Sequence, residues 1–179
     1  MKRAIRLDKS KLLIAVLSIV CIILGTMQIT NYLDAKQDEY LYMKKVYSNL
    51  RSVQSMTGDL CEGNYVQGDL DTHLLELRFG LRTIGKQLED GYQFVAECIP
   101  SASSFWFYES SAAIEDPNHP FISEEGTLTS LGLSYLTRLH NNIGELLEQM
   151  VGADQMNLST DITIEAFSSI IQTFYDTAN

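Results

Sequence analysis

The sequence lacks the residue patterns that catalysis and metal binding need. Its three histidines, His73, His119 and His140, lie in separate segments. It has no glycine-rich phosphate loop, no G-x-S-x-G turn, no H-E-x-x-H helix and no C-x-x-C pair. Asp69, Asp71 and His73 alternate, but residues two apart on a helix point to different sides. We therefore predict that the protein is not an enzyme and has no cofactor and no metal site.

Basic residues are scarce in most of the chain. Residues 34–179 contain eight Lys and Arg against 22 Asp and Glu, a net charge near −14. Because nucleic-acid binding depends on neutralising phosphates with basic side chains, this balance excludes nucleic acid as a partner. An acidic surface of this kind is typical of an exported, soluble domain.

Charge is absent altogether from one segment near the N-terminus. Residues 12–29 read LLIAVLSIVCIILGTMQI, an 18-residue run without a charged side chain. At about 1.5 Å per residue, such a helix just crosses a hydrocarbon core of roughly 30 Å. We predict a transmembrane signal-anchor helix over residues 12–30. A cleaved signal peptide is the alternative, but no A-x-A-like cleavage site follows the run.

The charges on either side of this run predict its orientation. Residues 1–11 carry five bases and one acid, whereas three acids and one base follow between residues 34 and 39. The positive-inside rule then makes residues 1–11 a short basic cytoplasmic tail. Residues 34–179 form an acidic extracytoplasmic domain, so the expected location is the cell membrane, with a single pass.

Apolar residues in the outer domain recur every third or fourth position, which predicts amphipathic helices. The expected helices cover residues 36–57, 69–93, 123–150 and 161–176, and no strand is convincing. The sequence TGD at 57–59 predicts the end of the first helix, and Ser123 is the expected N-cap of the third, with Glu124 and Glu125 in its first turn. Since each apolar stripe must be covered, we predict an all-α fold, an antiparallel helical bundle of about four helices after the membrane helix.

The long connection over residues 94–122 contains the four aromatic residues of the sequence FWFY. These residues, Phe105, Trp106, Phe107 and Tyr108, have three interpretations: a plug for the core, a contact with the membrane interface, or part of a ligand or peptide pocket. Long connections often carry a function or pack as an extra element. The four aromatics are therefore the candidate interaction residues.

The cysteines predict no disulfide. Cys21 lies in the apolar run, which leaves Cys61 and Cys98 in the outer domain. A helix of some 24 residues between them would hold their Cα atoms over about 30 Å apart, whereas a disulfide needs about 7 Å or less. Both thiols are expected to be free.

The layout of anchor, long helix and helical outer domain is similar to two bacterial groups. These are helical sensor ectodomains and anchored helical proteins that assist spore-germination lytic enzymes, and the similarity is one of architecture without shared motifs. We expect a non-catalytic membrane protein whose outer domain binds another membrane or envelope protein, a second copy of itself included. The alternatives are a sensory, ligand-binding ectodomain that signals through a partner, and an envelope or sporulation and germination accessory protein. The sequence does not identify a small-molecule ligand.

Overall fold

The protein is mostly helical. The computed structural model describes residues 9–65, 69–91, 101–115, 122–124, 126–152 and 157–178. They form five helices and one short hairpin: α1 (Lys9–Glu62), α2 (Leu70–Gly91), α3 (Ser101–Glu115), β1 (Ser123–Glu124), β2 (Thr127–Leu128), α4 (Ser130–Glu148) and α5 (Ile164–Ala178). The expectation of an essentially all-α protein is confirmed, whereas the expectation of no strands is wrong for the antiparallel pair β1–β2.

The chain divides into two compact units, Met1–Glu39 and Tyr40–Asn179. In the first unit, the large apolar side chains from Leu13 to Leu33 are all exposed. Within the described part of the chain, α1 is the one helix long and apolar enough to cross a membrane, and its most apolar 18-residue window has none of its residues buried.

The second unit has a hydrophobic core to which all five helices contribute. The second part of α1 is buried along one stripe, at Met43, Val46, Leu50, Val53, Thr57 and Leu60. The stripe of α2 is buried from Leu70 to Leu88, and its continuation at Tyr92 lies outside the described residues. In α4 the buried positions are 132, 136, 139, 143, 146 and 147. Leu131 is exposed because it lies off this face in the first turn.

Helix α1 runs past the predicted stop at residues 57–59. Gly58 is helical and lies against His140, so it provides room for a neighbouring side chain instead of ending the helix. The helix ends at Glu62, followed by Gly63 with a φ of 72°. Gly63 N donates to Leu60 O and Asn64 N donates to Asp59 O, the hydrogen-bond pattern of a Schellman cap.

Helix α4 begins later than the sequence predicts. Ser123 lies in β1, and its strand turns at Gly126, which has a φ of 74°. The N-cap is Thr129, whose side-chain oxygen accepts a hydrogen bond from Gly132 N at 2.8 Å. The backbone of Thr129 also donates to Ile122 O at 2.9 Å. Pairing of residues 123–128 as a hairpin therefore replaces the first two turns of the expected helix.

The connection predicted over residues 94–122 contains an additional helix, α3. It packs closely along α2, because Gly85 presents no side chain there. A Cβ at Gly85 would lie 3.1 Å from Tyr108 Cε1 and 3.2 Å from the backbone oxygen of Ser104. The last helix also starts later than predicted, at Ile164, where Thr163 Oγ1 accepts a hydrogen bond from Ala166 N at 3.2 Å.

Candidate functional site

The four candidate aromatics lie on different faces of α3. Phe107 is fully buried and Trp106 is 8% exposed, whereas Phe105 is 55% exposed. Tyr108 is half-buried, and its hydroxyl donates to Glu89 Oε2 on α2 at 3.0 Å. Burial, followed by this hydrogen bond to a carboxylate, raises the pKa of Tyr108. The interpretation as a core plug thus holds for Trp106 and Phe107, and only Phe105 presents a free aromatic surface.

Trp106 and Phe107 form an aromatic cluster with Phe174 of α5. The Trp106 ring lies edge-on to both partners, with centroids 4.9 Å from Phe107 and 4.8 Å from Phe174. Phe107 and Phe174 are stacked, with centroids 6.1 Å apart. These geometries are favourable for aromatic pairs and fix α3 against α5. The cluster therefore stabilises the packing of α3 on α5.

Exposed apolar side chains in the second unit include a pair on α2. Leu75 and Phe79 are 45% and 54% exposed and lie one helical turn apart on the same face. We call this pair the α2 patch. The guanidinium carbon of Arg78 lies 6.0 Å from the centroid of the Phe79 ring, near the outer limit of a cation–π contact. The helical period of α2 predicts that these two side chains face outward. The sequence patterns, however, indicated only the four aromatics of α3 as candidate interaction residues.

A groove along α1 is a concave feature of the second unit that is lined in part by charged side chains. It consists of two adjoining clefts of about 480 and 490 Å³, which share Tyr47 and Arg51 and are open to solvent along one side. Its first wall is one face of α1, formed by Tyr40, Lys44, Tyr47, Ser48, Arg51 and Gln54. Its second wall is formed by Gly144, Leu147, Glu148, Val151, Gly152, Asn157, Leu158 and Thr160. We call this feature the α1 groove.

Backbone pairing holds the second wall of the α1 groove. Val151 and Leu158 form an antiparallel bridge after the end of α4. Gly152 N donates to Asn157 O at 2.8 Å, and Ser159 N donates to Met150 O at 2.9 Å. These contacts hold the backbone of residues 150–152 against that of residues 157–159.

A polar contact fixes α1 against α4 at Gln54, the last residue of α1 that lines the groove. His140 Nδ1 lies 3.0 Å from Gln54 O and 3.2 Å from Thr57 Oγ1. Because a carbonyl oxygen can only accept, this geometry requires Nδ1 to carry the proton. Gly144 lies one turn further along α4, and a Cβ there would lie 2.8 Å from the Gln54 side-chain nitrogen. The arrangement holds α4 against α1 beside the groove.

The cysteine and metal predictions fall partly outside the described residues. Cys61 is half-buried with its Sγ 3.6 Å from Thr137 Oγ1, and Cys98 lies outside the described residues, so the predicted absence of a disulfide between them stays a prediction. His119 also lies outside them. Within the described ranges, no group of three or more His, Cys, Asp and Glu side chains is placed to hold a metal ion. His73 Nδ1 lies 3.8 Å from Glu76 Oε2, a contact within the surface of α2.

Comparisons with protein families, curated proteins and solved structures find no match for the chain.

Proposed function

We propose that this is a non-catalytic, single-pass membrane protein whose extracytoplasmic domain is an antiparallel helical bundle that binds another protein. The observation that carries this proposal is the composition of α1. Its first part has an 18-residue window of exposed apolar residues, and its second part contributes a buried stripe to a domain core. A helix that is apolar on all sides is stable in lipid, whereas an amphipathic helix is stable with its apolar face against the core of a folded domain.

The bundle arrangement is supported by contacts within the second unit. Asn49 Nδ2 donates to Gln87 Oε1 at 2.8 Å, and further along α1 the Val53 side chain lies where a Cβ on Gly80 would be. Positions thus rise along α1 as they fall along α2, the order expected of antiparallel neighbours. The basic residues of 1–11 and the acidic domain support a cytoplasmic N-terminus.

The proposed binding surface includes the α2 patch and Phe105, because exposed aromatic and large aliphatic side chains are common at the centres of protein interfaces. A photoreactive phenylalanine analogue placed at Phe79 or Phe105, in the full-length protein in its native membrane, should give a discrete crosslinked product. The same analogue at Glu145, an exposed position on α4, is the control. Absence of adducts at both test positions, or equal adducts at the control, would contradict protein binding at these positions.

The α1 groove favours a second function, that of a ligand-binding sensory domain. A ligand in the groove would contact the helix that also contains the apolar segment, and a displacement of that helix could be passed to a partner. Crosslinking efficiency between cysteines introduced into two copies of α1 should then change when the ligand is added. Constant crosslinking would leave the groove as a binding surface without a signalling role.

A further inference from the structure

Helix α3 buries fewer large apolar side chains than the other helices of the second unit. Among its described side chains, those of Trp106 and Phe107 are large, apolar and buried. Helix α5 has the same length of 15 residues, and it buries Ile164, Phe167, Ile171 and Phe174. Because the stabilisation from burial scales with the apolar area removed from water, α3 should be held less strongly than its neighbours.

The other buried residues of α3 are serines, and two of their hydroxyls oppose docking of the helix. Ser103, Ser104, Ser110 and Ser111 are each at most 7% exposed. Within the described part of the chain, the Oγ atoms of Ser103 and Ser111 are buried without a hydrogen-bond partner. A hydroxyl in this state is less stable than the same hydroxyl in water, so detachment of α3 would relieve an unfavourable contribution at both positions.

A buried hydroxyl on α1 shows the opposite arrangement. The side chain of Thr57 is also fully buried, but its Oγ1 donates to Gln54 O at 2.8 Å and lies 3.2 Å from His140 Nδ1. The burial of this hydroxyl is therefore compensated by hydrogen bonds, on a helix that is also held by a long apolar stripe. Both sources of stability are weaker on α3.

Detachment of α3 would expose an aromatic surface that the docked helix largely hides. The four aromatics are consecutive, so at about 100° per residue they project around most of the helix circumference. In the docked state Phe105 is exposed, whereas Trp106 and Phe107 are buried. Aromatic side chains are enriched at the centres of protein interfaces, so the detached helix offers a larger contact surface than Phe105 alone.

We propose that α3 is a conformational switch, which detaches as a unit while the rest of the second unit stays folded and thereby exposes its aromatics for protein binding. This inference rests on the proposed function, because it adds Trp106 and Phe107 to a binding surface that already includes Phe105. Elements that move on binding are drawn from those whose local opening costs less free energy than global unfolding.

Thiol labelling measures this opening directly. The test uses the full-length chain in phosphatidylcholine nanodiscs, with its three native cysteines replaced by serine. One cysteine is then introduced by Ser111→Cys or, as the control, by Thr57→Cys, since both positions are fully buried. A membrane-impermeant maleimide should label Ser111→Cys at least about 100-fold faster than Thr57→Cys, and urea below the unfolding transition should change the faster rate little. Equal rates would overturn the proposal, because global unfolding would then be the step that exposes both positions.

Two further substitutions on α3 should shift the opening in opposite directions. Ser103→Ala removes an unpaired hydroxyl and should slow the labelling of Ser111→Cys at least about fivefold. Phe107→Ala removes a ring that is stacked on Phe174 and should accelerate it at least about tenfold. Acceleration by Ser103→Ala would overturn the role of the unpaired hydroxyls. Hydrogen exchange of the unsubstituted chain is the second readout: amides of α3 that exchange as slowly as those in the buried stripe of α2 would overturn the proposal.

Crosslinking in membranes then distinguishes this inference from the proposed function. With the photoreactive analogue at Phe105, a partner adduct that weakens when Ser103→Ala is added supports detachment of α3 as a step in binding. An adduct at Phe105 or Phe79 that is unchanged by Ser103→Ala overturns this role of α3 and leaves the proposed function standing. Absence of adducts at both positions contradicts the proposed function itself.

Discussion

The two parts of α1 have the same backbone conformation and opposite surroundings. From Leu13 to Leu33 the large apolar side chains are exposed on every side, whereas from residue 43 to residue 60 burial recurs every third or fourth position. The first pattern suits a solvent that is itself apolar, and the second suits a helix with one face on a core and one in water. The backbone thus forms the same helical hydrogen bonds in both environments. The pattern of apolar and polar side chains determines which environment each part of the helix occupies.

Charges placed in the two parts should have very different effects, and this is the largest effect we expect. Ile19→Arg with Ile22→Arg puts two charges near the centre of the apolar run, each costing about 2.5–3.5 kcal/mol on insertion scales. The protein should move largely from the membrane fraction to the carbonate-soluble fraction. Ser52→Arg with Ser55→Arg, at exposed positions of the second part, should leave the protein in the membrane. Retention of the Ile19→Arg/Ile22→Arg protein would contradict the anchor.

The next largest effect should separate two neighbouring aromatics of α3. Phe107→Ala removes a fully buried ring from the aromatic cluster and should lower the free energy of unfolding by about 3–5 kcal/mol. Phe105→Ala removes an exposed ring and should change it by no more than about 0.5 kcal/mol. Urea unfolding of the full chain in detergent, followed by far-UV circular dichroism, measures both. Similar losses for the two variants would contradict the assignment of inner and outer faces.

The helices with apolar stripes were predictable from the sequence, and α3 was not. Leu, Ile and Val at spacings of three and four directly reveal the buried faces of α2, α4 and α5. The buried face of α3 instead includes the small polar residues Ser103, Ser104, Ser110 and Ser111, so its apolar period is weak. The close approach of α3 to α2 depends on small side chains on both helices. Small side chains produce no apolar spacing in the sequence of either helix, so the contact could not be predicted from it.

Helix ends and the α1 groove were missed for a related reason. Ser123 with Glu124 is a good local signal for a helix start, but the hairpin closed by Gly126 moves the cap to Thr129. Whether Gly58 ends a helix or accommodates His140 depends on a contact 82 positions away in sequence. The groove had one usable signal, the acid-free stretch 40–58 within an acidic domain. Its second wall comes from the end of α4 and from the connection that follows, and no local pattern places these beside α1.

Glycines in the two units offer a smaller test of the same contrast. Gly85→Ala adds a methyl group against the backbone oxygen of Ser104, which cannot move aside, so the overpacking cost of about 1–3 kcal/mol should exceed the helix-propensity gain of about 1 kcal/mol. A net loss of about 1 kcal/mol in urea unfolding is expected. Gly25→Ala meets nothing within 4 Å and should cause no loss. Stabilisation by Gly85→Ala would mean that α2 and α3 are further apart than described.

The smallest effect at neutral pH, and one that grows in alkali, concerns Tyr42 at the start of the second unit. Burial of its ring, reinforced by the charge of Asp90, raises the pKa of Tyr42 well above its ordinary value of about 10. Because the folded protein then holds this proton more tightly than the unfolded chain, the stabilising contribution is present below pH 10 and is lost as the pH rises beyond it. The urea midpoint should therefore fall between pH 9 and pH 11.

Substitution identifies the group that causes this fall. Tyr42→Phe should flatten the alkaline decrease while leaving stability at pH 8 little changed, since the hydroxyl that packs over Gly91 is removed and the ring, edge-on to Phe167 at 6.2 Å, is kept. Tyr32→Phe, at an exposed ring in the first unit, should leave the decrease unaltered. An alkaline decrease equally steep in Tyr42→Phe would assign it to other groups, with Tyr135 the next to test, because burial also raises its pKa. A flattened decrease would show that the second part of α1 is packed against its neighbours from its first turn, near the boundary between the two units.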